Sequence, residues 1–439
     1  MKSLSKIEIN SMKLNSLNGF RQSLKKISDN FYADVLQKCH NEFILFMPFL
    51  FLYTLIIFLF KKPYYIGDEP RYLMFAHNIL NGFYSPPAPD INLWNGPGYP
   101  LLLSFFIKIH LSDLMIVLTN AMWIYLSLVL IYKTLRYFLS CKKAFFWTAV
   151  LGFYYPLYRM LPKILTEALT WFLVSLIVFL SFKLYYDKKR PLFNIFFLGF
   201  AIFYLMITKV IFGYVVLVLF ILLFFWHALV RFNTAKKYVW ALFLALMLSV
   251  PYLYYTYTLT GKYFYWTNAG SFSLYLMSTP YESEDGRFIT PKDLLQSPLH
   301  HQEADSILTK MPALQMDDTL KKLALSNIKN HPYKYFKNWL SNIYRLFIAG
   351  PFLDETRNII YTIPNLFITL IIIWSLSGLK KTYKQISFPL YFLLAFFLIY
   401  LGGSSLVSAM SRMFFITFPF WTVWVAMIWQ FKAKRYDYK

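Results

Sequence analysis

Charge is scarce in this 439-residue chain. Only 15% of its residues are charged, against about 25% in an ordinary soluble domain. Acids are scarcer still, at 21 against 44 lysines and arginines. A water-soluble enzyme is thereby excluded, because it could not bury the apolar surface that remains. Cysteine is nearly missing as well. Cys39 and Cys141 are the two present, which excludes a disulfide framework and a cysteine-based zinc site. His77 has no His or Cys partner at ligand spacing, so no metal site is read from it. His300-His301, followed by Glu303 and Asp305, reads as a polar loop, since adjacent histidines seldom share one ion. No cleavable signal, soluble-domain repeat or low-complexity tract is visible.

What is abundant is apolar and aromatic: 58% hydrophobic and 21% aromatic residues. Several apolar runs approach the ~20 residues that cross ~30 Å of hydrocarbon as a helix. The net charge of +23 invites a nucleic-acid reading. The cations instead sit at the ends of apolar runs, which is the signature of membrane topology. Nucleic acid is excluded as a partner, and membrane lipids with anionic head groups are expected near the basic ends.

The expected architecture is all-α and polytopic, with about ten transmembrane helices. Residues 1–42 form a cytoplasmic basic segment. Phe20, Leu24, Ile27 and Phe31 in it have helix-like spacing, so it is either an interfacial helix or a solvated tail. Residues 43–258 form an N-terminal transmembrane catalytic module with a first external loop at 61–112. Residues 259–358 form an external region with eleven basic and ten acidic residues, a near-neutral balance unlike that of the other loops. Residues 359–439 supply the last helices and a short cytoplasmic tail. The expected spans are 43–60, 113–132, 144–158, 164–184, 192–207, 210–229, 238–258, 359–379, 387–402 and 413–431. Pro70 to Asn81 reads as a short helix, Leu101 to Ile109 as a juxtamembrane or re-entrant one, and Ala324 to Phe347 as an amphipathic helix on the membrane.

This topology gathers a few charged residues at one surface. Asp68 and Glu69 follow the first span. Acids at a bilayer boundary are costly to desolvate, and a carboxylate there suits a general base. The competing role is to cap the helix that begins near Pro70. Arg71 either pairs with the acids, meets an anionic substrate, or snorkels. Trp94 and Tyr99 flank Asn95-Gly96-Pro97-Gly98, a rigid turn that either shapes a substrate entrance or simply breaks the chain. Glu167 opens the fourth span as a second acid, a sugar-orienting group, a partner of Arg159 or Lys163, or an anion at a helix N-terminus. Lys209 and Arg412 lie at external turns, where cations stabilise a departing phosphate or snorkel.

These pieces, in this order, resemble a known superfamily. They are Gly67-Asp68-Glu69-Pro70-Arg71-Tyr72, Asn95-Gly96-Pro97-Gly98-Tyr99-Pro100-Leu101, Leu165-Thr166-Glu167-Ala168-Leu169, Asn330-His331-Pro332-Tyr333-Lys334-Tyr335 and Ser411-Arg412-Met413-Phe414. From residue 43 onward the chain resembles integral-membrane glycosyltransferases that use a polyprenyl-phosphate sugar, the protein O-mannosyltransferase and lipid A aminoarabinose transferase superfamily with a GT-C fold. The resemblance implies that Asp68 is the catalytic base, with Glu69 in reserve, and that Glu167 is the second external acid. It places Lys209 and Arg412 near the lipid phosphate. Gly-Pro-Gly-Tyr-Pro stands where relatives often carry a basic residue before two prolines. The soluble inserts of the eukaryotic O-mannosyltransferases are absent, which implies a bacterial inner-membrane enzyme facing the periplasm.

The expected reaction is inverting transfer of one sugar from a polyprenyl-phosphate donor to an acceptor hydroxyl. The acceptor is a glycolipid such as lipopolysaccharide lipid, another cell-envelope polysaccharide, or a protein. No cofactor is implied beyond the donor lipid, and a role for a divalent ion is left open. Two other classes compete. A flippase of lipid-linked glycans should show polar or broken helices at mid-membrane, often in two repeats. An O-antigen polymerase or ligase should place key arginines in a late loop, where Arg345 and Arg357 lie.

Overall fold

The computed structural model describes residues 41–230, 233–296, 302–350, 359–379 and 383–436. Among them every regular element is helical. The basic segment 1–40, the His300-His301 pair and Arg357 lie outside the described residues.

Eight helices are long and apolar enough to cross a membrane: Glu42–Phe60 (α1), Asp113–Leu135 (α4), Glu167–Tyr186 (α7), Pro191–Thr208 (α8), Ile211–Val230 (α9), Asn233–Thr260 (α10), Ile359–Ser377 (α16) and Phe388–Ser405 (α17). The chain is an all-α, multi-span membrane protein. Two of the ten expected spans fall short. The run expected at 144–158 divides into Cys141–Gly152 (α5) and Tyr155–Tyr158 (α6), with Pro156 at the start of the second piece. The last helix, Phe418–Tyr436 (α19), starts late and carries lysines and an arginine in its final turns, so no window of it is apolar enough.

Burial tells which helix is central. The spanning window of α7 is 72% buried within the protein, whereas those of α1 and α16 are 22% buried. Leu169, Trp171, Val174, Ile177 and Val178 on α7 are all buried. α7 packs against α4, α8, α17 and α19. α1 instead shows Phe51, Leu55, Phe58 and Leu59 on its outside, as a lipid-facing helix must. Glu167 therefore opens the central helix of the bundle.

The first loop folds as expected. Glu69–Leu80 (α2) and Gly98–Lys108 (α3) are short helices that pack on each other. The polar region supplies Gly270–Met277 (α11), Pro291–Leu295 (α12), Gln302–Lys310 (α13), Ala313–Asn330 (α14) and Pro332–Phe347 (α15). First loop and polar region close over each other. Leu93 N donates to Asn268 Oδ1 (3.2 Å) and Asn268 Nδ2 to the carbonyl of Ile91 (3.1 Å). Phe75, Tyr84, Ile91 and Leu93 share an apolar cluster with Tyr252, Tyr255 and Leu314.

The amphipathic helix expected over 324–347 is two helices. His331 leaves the helical region, with φ −130° and ψ 55°, before Pro332, because proline crowds the residue before it out of that region. The polarity of α15 faces a direction the sequence does not reveal. Its polar residues Lys334, Asn338, Asn342 and Arg345 are buried against the protein, while Tyr333, Phe336, Leu340 and Tyr344 face outward. Ser411–Phe415 (α18) completes the set and packs on α15.

Candidate active site

Gly67, at φ +65°, turns the chain from α1 into α2. Such a backbone favours glycine, which has no Cβ to clash. The turn sets Asp68 and Glu69 side by side, and they then do different things. Asp68 occupies the cap position of α2 without bonding a helix amide through its side chain. The capping role is not realised by its carboxylate. Its Oδ1 accepts from Arg71 Nη2 at 2.6 Å, and its Oδ2 accepts from both terminal nitrogens of Arg412 at 3.2 Å. The Asp68 side chain keeps 24% exposure. Burial pushes its pKa up, but Arg412, Arg71 and Lys209 outweigh that and hold the carboxyl below the ordinary aspartate value.

Glu69 is buried. Its Oε2 accepts from Ile66 N at 2.7 Å and its Oε1 from Ile164 N at 2.8 Å. Both oxygens are thus engaged by backbone amides, one before the turn and one in the segment that leads into α7. The residue ties the first loop to the start of the central helix.

Glu167 lies at the first position of α7 with its side chain only 2% exposed. The helix N-terminus favours its charge. Its partner is Lys209 (Nζ to Oε1, 3.1 Å) rather than the expected Arg159 or Lys163. Lys209 sits in the turn between α8 and α9 and is a quarter exposed. Arg412, on α18, completes the constellation. Burial works against its charge, but Glu167 and Asp68 beside it raise its pKa. Five of the residues expected to carry chemistry therefore gather as two ion-paired sets, Arg71–Asp68–Arg412 and Glu167–Lys209, whose charges act on each other across the gap. Together they draw on four separate parts of the chain.

The turn at 94–100 packs behind this cluster. Gly96 is required by close approach, since a Cβ there would stand 2.1 Å from the carbonyl oxygen of Ile207. Tyr204 on α8 donates its hydroxyl to the Gly98 carbonyl at 2.9 Å. The Gly-Pro-Gly turn thus seats against the end of α8, two residues before Lys209. Trp94 is half-buried, with the Arg71 guanidinium over its ring at 5.5 Å and Phe272 beside it. Tyr99 is 3% exposed and meets Tyr72 edge-on at 5.3 Å. It supports the loop from within and does not line an open sugar site as expected.

Asn95 and Tyr72 are functional-site neighbours that the sequence named only as motif letters. Asn95 Oδ1 accepts from Arg71 Nε at 2.6 Å, and its Nδ2 donates to the Tyr72 hydroxyl at 3.1 Å. They hold the Arg71 fork toward Asp68. Asn342 gave no signal at all. It is fully buried on α15 and bonds Ser405 O, Val407 O and Ala409 N at 2.8, 2.7 and 2.9 Å. These bonds fix the segment that delivers Arg412. A polar residue in an amphipathic helix is ordinarily read as its wet side, so only the fold reveals it.

Two cavities lie among the elements that carry these residues. One of about 380 Å³ lies beside Glu69, with Lys62, Arg159, Lys163, Tyr64 and Tyr158 in its lining. The other, about 330 Å³ and mostly apolar, is bounded by Pro97, Leu101, Phe203, Ile207 and Tyr252. Among the described residues, no three His, Cys, Asp or Glu side chains gather as a metal-ligand set. His77 is exposed on α2.

No protein-family model matches the chain, and no curated protein matches it by sequence. Solved structures do show likeness. One is ArnT from Cupriavidus metallidurans bound to undecaprenyl phosphate, at 11% identity and TM-score 0.40, covering 88% of this chain and 77% of that one. Another is the apo oligosaccharyltransferase of Archaeoglobus fulgidus, at 13% identity and TM-score 0.49, covering 87% and 50%. A third is the oligosaccharyltransferase AglB from Archaeoglobus fulgidus with an inhibitory peptide and a dolichol-phosphate, at 12% and 0.45, covering 88% and 50%. This chain spans about half the length of the oligosaccharyltransferases. All three likenesses lie below a TM-score of 0.5, so the chemistry is read from this chain's own side chains.

Proposed function

We propose that this chain is a membrane glycosyltransferase of GT-C type. In this reading it moves one sugar from a polyprenyl-phosphate donor to an acceptor hydroxyl on the external face. The observation that carries the reading is the Asp68–Arg71–Arg412–Lys209–Glu167 cluster at one end of a bundle of apolar helices. A phosphate leaving group needs cations where it departs, and an attacking hydroxyl needs a base on the opposite side of the sugar. Both kinds of group are present in these two neighbouring ion-paired sets. They lie at the ends of spanning helices, where a lipid-linked donor would approach sideways.

Asp68 takes the proton of the acceptor hydroxyl as its oxygen bonds to the anomeric carbon. The bond from that carbon to the phosphate oxygen breaks, and its electron pair leaves with the phosphate. Displacement from the far side inverts the anomeric centre. Lys209, and Arg412 once the acceptor hydroxyl takes its place on Asp68 Oδ2, receive the developing phosphate charge, and no acid is needed for a group that leaves as an anion. Glu167 holds Lys209 in place through their ion pair. Glu69, committed to two backbone amides, positions Asp68. The apolar cavity along Pro97 and Ile207, whose lining comes within two residues of Lys209 in the chain, would suit a prenyl chain. Trp94 braces Arg71 at the acceptor side. The reading places the enzyme in a bacterial inner membrane with this end facing the periplasm.

The test is transfer of radiolabelled sugar from a polyprenyl-phosphate donor by purified protein. Wild type should transfer, Asp68→Asn should not, and flipping of a fluorescent lipid without transfer by wild type would make the chain a carrier instead.

A further inference from the structure

The region that covers the site encloses a third cavity, of about 530 Å³, between the 285–293 segment, α15 and the residues just before Arg412. Phe288, Tyr344 and Met410 give it aromatic and apolar walls, while Asp285, Arg287, Asp293, Ser341 and Arg345 are polar. Pockets of this mixed kind are typical of small polar ligands held by a few oriented groups.

Arg345 is the unusual member. Its side chain is 8% exposed. Nη2 donates to the carbonyl of Asp285 (2.9 Å) and to Asn342 Oδ1 (3.2 Å). Nη1 is ion-paired with Asp285 Oδ2 at 3.2 Å, and Nε finds no hydrogen-bond acceptor among the described residues. That carboxylate is already held by Arg287, whose Nε and Nη2 reach its two oxygens at 3.0 Å each. Asp293, at the rim, is tied to Thr290 at the start of α12 (2.7 Å). Buried donors without acceptors are costly and rare in native proteins. A charged oxygen is the partner a guanidinium binds best.

The cavity is wired to the proposed active site. Met410 in its wall stands two residues before Arg412. Ala409, also in the lining, donates its N–H to the same Asn342 that Arg345 bonds. Ser408 is pinned to the Gly286 carbonyl at 2.7 Å.

We propose that this cavity is the acceptor subsite and that the acceptor is a glycan bearing an anionic oxygen group, carboxylate or phosphate, which Arg345 receives. This deepens the glycosyltransferase reading and rests on it. Tyr344 and Phe288 supply flat faces for sugar rings, and Ser341 and Arg287 supply hydrogen bonds to hydroxyls.

The test is saturation-transfer difference NMR on the purified protein in nanodiscs, with glucuronate, glucose 6-phosphate and glucose as probes. At least one anionic sugar should give several-fold more signal than glucose. If only one does, it assigns the carboxylate or the phosphate. Arg345→Gln should reduce that signal at least fivefold. Since Arg345 also bonds the surrounding fold, Ser341→Trp provides the control: it fills the cavity from its rim, leaves the ion pairs intact, and should abolish the signal with unchanged thermal melting. Asp68→Asn should bind the probes as wild type does, which separates this proposal from the assignment of the base. Equal signals from all three sugars, or anionic signals undiminished in both cavity variants, would overturn it.

Discussion

Removing the amine of Lys209 is the perturbation whose magnitude the structure fixes best. Lys209 is the hydrogen-bonded partner of Glu167, a carboxylate 2% exposed at the head of the central helix. Breaking a buried pair by deleting one member typically costs about 3–5 kcal/mol, because the other charge stays buried. Two features lower that figure here. The Lys209 side chain is a quarter exposed, and the N-terminus of α7 itself favours an anion by about 0.3–1 kcal/mol. We expect Lys209→Met to destabilise the protein by about 2–3 kcal/mol. Glu167→Gln with Lys209→Met removes both charges and should return to within about 1 kcal/mol of wild type. The assay is unfolding by graded SDS in mixed micelles, followed by tryptophan fluorescence, on wild type, both single variants and the double variant. A single Lys209→Met variant as stable as wild type would refute the reasoning. So would a double variant no better than that single one, since the ion pair would then not be what holds Glu167.

Other outcomes follow from the same geometry. Glu69→Gln should lower stability by about 1–3 kcal/mol, because an amide NH₂ would face one of the two backbone donors now satisfied; circular-dichroism melting reads it, and no change would mean that the two bonds are unimportant. Gly96→Ala should reduce both stability and transfer, since its Cβ would collide with the Ile207 carbonyl and displace the turn that carries Lys209; melting and transfer rate measured together would show a neutral substitution if the packing is looser than described. For pH, Asp68 has a folded pKa below its ordinary 3.8. A depressed carboxylate contributes stability that is full above 3.8 and is lost as pH falls through the lower folded value. The stability gap between wild type and Asp68→Asn should thus stay flat from about pH 8 to about pH 5 and shrink only in stronger acid; a gap that shrinks near neutrality contradicts the paired state.

The sequence foretold the bundle because hydrocarbon demands long apolar helices with satisfied backbones, a pattern that needs no tertiary knowledge. It also led to the expectation of Asp68, Glu69, Arg159, Glu167, Lys209 and Arg412 at one surface, since alternating spans return alternate loops to the same side; Arg159 instead lines the cavity beside Glu69. It could not tell Asp68 from Glu69. Adjacent acids at a turn point in different directions, and only the fold shows that Ile66 and Ile164 use up both oxygens of Glu69. Nor could it orient α15. Helical spacing shows that a helix has two faces, but in a protein bounded by lipid the polar face can be the one turned inward, as Asn342 and Arg345 are. Tyr99 failed for a related reason: an aromatic beside a turn can serve either as a lining or as a prop.

The central claim is that Asp68 is the base of a sugar transfer from a lipid phosphate. Its most direct test is the initial rate of labelled-sugar transfer from polyprenyl-phosphate donor by wild type, Asp68→Asn and Glu69→Gln, each checked for folding. Loss of a positioned general base should lower the Asp68→Asn rate by about 10²–10⁴-fold without unfolding the protein. Folded Asp68→Asn transferring at the wild-type rate would contradict the account.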